Sequence, residues 1–217
     1  MNLASIKLLI FDLDGTLVNS QFDIADGINH ALTSMNRSPL NEGEVQNLIG
    51  GGVKKLVERA FSDVTDKETL DNALELFNNY YHNNLTTKTR PYDGVLEVLN
   101  HFSKLKKAVY SNKPHELTTR IIKELNLDSY FNIVIGSNHS KYKPKPSAEG
   151  VELILNNLSI LPKHTLFIGD STHDIHSGQN AGTLTCAVTY GYREEQALIK
   201  EKPDFIIHKL PELTKLF

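Results

Sequence analysis

Asp12 and Asp14 stand one residue apart at the end of the apolar run Leu8-Leu9-Ile10-Phe11. In an extended chain, residues two apart face the same way, so the two carboxylates share a side. Like charges held this close call for a cation or a shared proton, and carboxylate oxygens suit a hard divalent ion, Mg²⁺ above all. A strand-ending turn with solvated acids is the alternative for this pair alone. A second cluster repeats the setting, because Leu166-Phe167-Ile168 runs into Gly169-Asp170-Ser171-Thr172-His173-Asp174. In a parallel sheet the ends of two such strands can be neighbours, so that Asp170 and Asp174 could face Asp12 and Asp14. Four acids so placed repel one another unless a metal sits among them. Asp170 or Ser171 can also cap the helix that holds Ile175 and Ala181, and capping is compatible with ligation.

Two further polar segments follow apolar runs. Val109-Tyr110 leads into Ser111-Asn112-Lys113-Pro114, a hydroxyl, an amide and an ammonium just before a helix start, where free backbone N–H groups can hold an anion. A plain helix cap is the alternative. Lys141-Tyr142-Lys143-Pro144-Lys145-Pro146 is stiffened by two prolines, so a lysine there loses less entropy on being held in one place. The alternative is a solvated basic loop.

These residues need a frame. Lys7–Phe11, Ala108–Tyr110, Ile133–Ile135, Leu166–Ile168 and Leu184–Val188 are short runs, apolar on both faces, that read as buried strands; Phe205–Ile207 reads as a sixth, on an edge. Helical patterns alternate with them: Val95, Leu96, Val98, Leu99 and Phe102; Leu117, Ile121, Ile122 and Leu125; Val151, Ile154, Leu155 and Leu158. That alternation predicts an α/β fold, a Rossmann-like parallel sheet with helices on both faces and right-handed crossovers. From Asn19 to Thr89 only helical stripes are found, one through Ile24, Ile28, Ala31, Leu32 and Met35, one through Val53, Leu56, Val57 and Ala60, and one through Leu70, Ala73, Leu74, Phe77 and Tyr81. The expected organisation is a core of residues 1–18 and 90–217 with an all-helical cap, residues 19–89, inserted in the first crossover. Such an insert would sit over the carboxyl ends of the strands, where open α/β sheets place their ligands.

Taken together, Asp12-Leu13-Asp14-Gly15-Thr16, Ser111-Asn112-Lys113, Lys143-Pro144-Lys145-Pro146 and Gly169-Asp170-Ser171-x-x-Asp174 resemble the four ordered motifs of the haloacid dehalogenase superfamily. The phosphoglycolate phosphatase-like branch is the nearest match, through Asp12 to Ser20, the helix Asp23 to Leu32, Ile49-Gly50-Gly51-Gly52, Arg90-Pro91-Tyr92-Asp93-Gly94 and Tyr190-Gly191-Tyr192. The family usually carries Asp where this chain has Asn19. The resemblance implies a Mg²⁺-dependent phosphomonoesterase working through an aspartyl-phosphate, with 2-phosphoglycolate as the substrate. It makes Asp12 the nucleophile and Asp14 the general acid and then base. It gives Mg²⁺ to Asp12, Asp14 (by its backbone carbonyl) and Asp170, with Asp174 assisting. It gives the phosphoryl oxygens to Ser111, Asn112 (by its amide) and Lys143, the lysine that precedes the first proline. Thr16 suits a phosphatase rather than a mutase.

Composition excludes several other classes. The chain has 217 residues, 40% apolar and 23% charged, with a formal net charge of −3. That is a globular composition without the basic field of a nucleic-acid or anionic-membrane binder. No apolar run approaches the ~20 residues of a membrane span, and Met1-Asn2-Leu3-Ala4-Ser5 shows no leader pattern. The lone cysteine, Cys186, lies in an apolar run and reads as a packed thiol; a cytoplasmic monomer or homodimer is expected. His173 and His176 lack a further soft ligand, which sets zinc aside. Lys54, Lys55 and Arg59, after Gly50-Gly51-Gly52, read as a solvated face or as cationic contacts. Other substrates of the same machinery are pyrophosphate, nucleoside monophosphates and sugar phosphates. The non-enzymatic alternative is a phospho-acceptor signalling module.

Overall fold

The computed structural model describes residues 5–137 and 141–216. Met1–Ala4, on which the reading of the leader rests, lie outside them. The chain divides into two compact units, Met1–Val18 with Pro91–Phe217, and Asn19–Arg90.

The first unit is built on β1 (Leu8–Phe11), whose four side chains are all buried, as a strand covered on both faces requires. Beside β1 lie β4 (Lys106–Pro114) and β6 (Thr165–Gly169), and the sheet is completed by β5 (Ile133–Ser137), β7 (Leu184–Val188) and β8 (Phe205–Ile207). The order is β5-β4-β1-β6-β7-β8 and every pair is parallel, with β8 at an edge. From β1 the chain builds toward β5 and then returns to β6 on the other side. The β1–β6 junction is therefore the switch point at which such sheets hold ligands. Two short strands, β2 (Val18–Asn19) and β3 (Arg90–Pro91), pair separately.

Helices α5 (Val95–His101), α6 (His115–Glu124), α7 (Glu149–Leu158), α8 (Thr172–Asn180) and α9 (Glu195–Lys200) complete the unit. Val151, Ile154 and Leu155 of α7 pack on Leu8, Ile10, Ala108, Tyr110 and Phe167, while Ile175, Leu198 and Ala187 form a second cluster. Gly150 touches the Tyr110 ring so closely that a Cβ would run into it.

The second unit contains α1 (Gln21–Ser34), α2 (Glu42–Leu48), α3 (Val53–Ala60) and α4 (Lys67–Asn83). Helix α2 lacks an apolar stripe because it is short and buries only Val45; its sequence signal is the Asn41/Glu44 capping box. Gly50, Gly51 and Gly52 all have positive φ, and the Arg59 guanidinium donates to the carbonyls of Leu48 and Gly50 at 2.8 and 2.9 Å. Arg59 thus braces the glycine loop while remaining on an exposed helix face. Asp23, in the first turn of α1, is fully buried and accepts from the Lys88 and Thr89 N–H groups and the Thr89 hydroxyl. Among the described residues no helix is long and apolar enough to cross a membrane.

Candidate active site

The parallel register sets Phe11 opposite Ile168, and the Asp12 N–H donates to the Ile168 carbonyl at 2.9 Å. Asp12 therefore follows the end of β1 beside the end of β6, where Asp170 follows Gly169. Asp12, Asp170 and Asp174 are all buried, and each offers a carboxylate oxygen within 4.8 Å of the others. Asp12 of the first acid pair and both acids of the second converge at the switch point.

Each acid is gripped by its own surroundings. Asp170 accepts from the Tyr192 N–H at 2.8 Å and lies 3.4 Å from the Thr16 hydroxyl. Gly15, with φ +87°, and Gly191 press against its carboxyl so tightly that a Cβ at either position would collide with it. The Tyr190 hydroxyl donates to the Thr16 carbonyl at 2.9 Å and ties the loop after β7 to the loop after β1. Asp174 accepts through one oxygen from the Ser171 N–H and hydroxyl, at 2.9 and 2.6 Å, at the start of α8. Helix capping and membership of the cluster coexist in this one side chain.

The lysine buried among these acids is not the one to which the resemblance gave the phosphoryl oxygens. Lys143 is 80% exposed along its side chain and pairs with Glu149 at 3.3 Å. Lys145, by contrast, is buried, with its Nζ 2.7 Å from Asp12 Oδ1, 2.5 Å from Asp174 Oδ1 and 3.1 Å from the Tyr110 carbonyl. The structure therefore corrects the expectation for Lys143. The physical reason is a backbone clamp, in which the Asn112 side chain donates to the Lys145 carbonyl at 3.0 Å and accepts its N–H at 2.8 Å. Counting residues from the first proline misses this, because the selection is made by a side chain on β4. The same clamp occupies the Asn112 amide side chain, which leaves its role toward an anion to the backbone. Ser111 is buried beside it, its hydroxyl accepting the Lys113 N–H at 3.1 Å.

Asp14 is not in the convergent trio. Its carboxylate is held by Lys113, whose Nζ lies 2.9 and 2.8 Å from the two oxygens. Sequence reading placed Lys113 beside Ser111 and Asn112 but gave it no partner. Its only signal was an ammonium at a strand end.

Electrostatics follow from burial. Asp12 is pushed well above the usual carboxylate range by desolvation and by Asp174 and Asp170, against the pull of Lys145. Asp170 is pushed up to about 7, first by burial and then by Asp174. Burial works to lower Lys145, but Asp12 and Asp174 outweigh it and keep the ammonium charged. Asp12, Asp14, Asp170 and Asp174 with Lys113 and Lys145 leave two formal negative charges. An all-oxygen donor set with that residual charge fits a hard divalent cation.

The family model described as haloacid dehalogenase-like hydrolase matches residues 9–188. A phosphoglycolate phosphatase of Aquifex aeolicus is 34% identical, over 97% of this chain and 96% of its own length. One of Nitrosospira multiformis is 33% identical, over 97% and 95%. A crystal structure of a predicted phosphoglycolate phosphatase from Haemophilus somnus superposes with a TM-score of 0.91 at 31% identity, covering 98% of each chain. The chain belongs to the haloacid dehalogenase-like hydrolase family.

Proposed function

We propose that this hydrolase cleaves a small phosphate monoester, with 2-phosphoglycolate as its substrate, through covalent catalysis at Asp12. The single observation that carries the proposal is the buried Lys145 ammonium between Asp12 and Asp174, at the β1–β6 switch point beside Asp170. Support for the substrate comes from relatives in Aquifex aeolicus and Nitrosospira multiformis that are phosphoglycolate phosphatases aligned over nearly the whole chain.

In this reading Asp12 attacks phosphorus, forming an O–P bond as the ester P–O bond breaks, and Asp14 gives its proton to the departing oxygen. Asp14 then takes a proton from water as that water attacks the aspartyl-phosphate, and inorganic phosphate leaves. Lys145 keeps Asp12 oriented and its ionised form favoured. Ser111 and the Asn112 backbone amide bind phosphoryl oxygens, together with Lys145 in place of Lys143. Asp12, Asp170 and the Asp14 carbonyl would hold Mg²⁺, with Asp174 assisting. When bound, the ion would neutralise phosphoryl charge so that one anion can approach another.

The test is a steady-state screen of 2-phosphoglycolate, pyrophosphate, nucleoside monophosphates and sugar phosphates with Mg²⁺. Phosphoglycolate should show the highest kcat/KM, and Asp12→Asn should lower turnover by about 10⁴-fold or more while the fold is retained. A far higher kcat/KM for pyrophosphate would replace the substrate. A phosphorylated chain that fails to release phosphate would point to the signalling module.

A further inference from the structure

Lys113 is buried, and its ammonium contacts both oxygens of Asp14. Its main chain is fixed as firmly as its tip. The Lys113 N–H donates to Ser111 Oγ at 3.1 Å, and its carbonyl accepts from the Thr118 hydroxyl at 3.2 Å. Gly136 of β5 presses on the Lys113 carbonyl and on Thr118 so closely that a Cβ there would not fit. The backbone of Asp14 is set separately by the turn in which Leu13 O accepts from Thr16, Leu17 and Val18 N–H. The two-point contact with a buried ammonium constrains both side-chain torsions of Asp14.

We propose that Lys113 is a positioning residue for the hydrolytic reaction, setting the direction of the Asp14 carboxyl toward the leaving-group oxygen. The proposal rests on the phosphatase reading above and adds a residue to it. A proton donor acts only within hydrogen-bond reach of the atom it protonates, so losing the orientation should lower the rate in proportion to the leaving group's need for a proton.

The experiment compares Lys113→Met and Lys113→Arg, alone and combined with Asp14→Asn, on two esters. Methyl phosphate loses an alkoxide that needs a proton, whereas p-nitrophenyl phosphate loses a stable phenolate. Lys113→Met should lower kcat/KM, which covers aspartyl-phosphate formation and not the later water step that both esters share, by about 10- to 100-fold for methyl phosphate and by less than about 3-fold for p-nitrophenyl phosphate. In the Asp14→Asn background it should remove less than about 2-fold more, and Lys113→Arg should restore part of the loss. Equal losses on the two esters would overturn the proposal, as would an undiminished loss in the Asp14→Asn background. If the unmodified protein cleaves no ester, the phosphatase reading fails, and a crystal structure of Lys113→Met still decides the positioning role. A changed or split Asp14 rotamer supports that role, and an unchanged rotamer sinks it. Lys113→Arg serves the same comparison if the Met variant does not fold.

Discussion

A buried ammonium between two carboxylates behaves differently from an exposed one beside a single acid, and Lys145 and Lys143 are that contrast within one loop. Removing Lys145 leaves Asp12 and Asp174 as buried carboxylates without their shared cation. Lys145→Met should destabilise the metal-free protein by about 3–5 kcal/mol in urea unfolding. It should also lower kcat by about 10²- to 10³-fold if, as proposed, Lys145 binds the phosphoryl oxygens. Lys143→Met removes an exposed pair with Glu149 and should leave both measurements within about 0.5 kcal/mol and about 2-fold. Equal effects at the two positions would contradict the assignment of Lys145.

At the level of elements, the loop after β7 closes over Asp170 and is tied to the loop after β1. Gly191 is the point of closest approach, and Tyr192 supplies the N–H. Gly191→Ala should push the Asp170 carboxyl aside and weaken Mg²⁺ binding by about 10-fold in calorimetric titration, while the sheet stays intact. In the helical unit the corresponding device is Asp23 of α1, which satisfies three donors of the returning segment at Lys88 and Thr89. Asp23→Ala buries those donors without a partner and should lower stability by about 1–3 kcal/mol, with hydrogen exchange rising first around Lys88 and Thr89. Asp23→Asn keeps one acceptor oxygen and should fall between the two.

The whole molecule feels the acid cluster through proton linkage. Asp170 is pushed up to about 7 and Asp12 is also raised, so between the unfolded carboxylate range near 4 and about pH 7 the folded state binds more protons than the unfolded one. The stability these groups contribute is therefore full at low pH and is lost as pH rises through about 7 in the metal-free protein. A divalent ion binds the deprotonated acids, so its effect has the opposite slope. The Mg²⁺-induced rise in Tm should be larger at pH 8 than at pH 5.5. At a hundredfold excess over Kd it corresponds to about 2.7 kcal/mol. Paired melts with Mg²⁺ and with chelator at the two pH values check the sign, and a larger increment at pH 5.5 would contradict it.

Much of this molecule is written locally in its chain. The buried strands declare themselves as short apolar runs, because a strand covered on both faces has no polar side to show; Leu184–Val188 and Phe205–Ile207 appear at the bounds read from the sequence. The acids declare themselves because Asp12 follows directly on one such run and Asp170 closely on another, with Asp174 in the first turn of the helix that comes next, so that neighbouring parallel strands bring them together. Tertiary structure alone decided which partner each charge would have. Asn112 chose Lys145 over Lys143 across the sheet, and Lys113 took Asp14 from 99 positions away. Spacing along a chain fixes which residues share a face, but ion pairs and clamps are set by where separate strand ends arrive in space, and that is a property of the packed sheet.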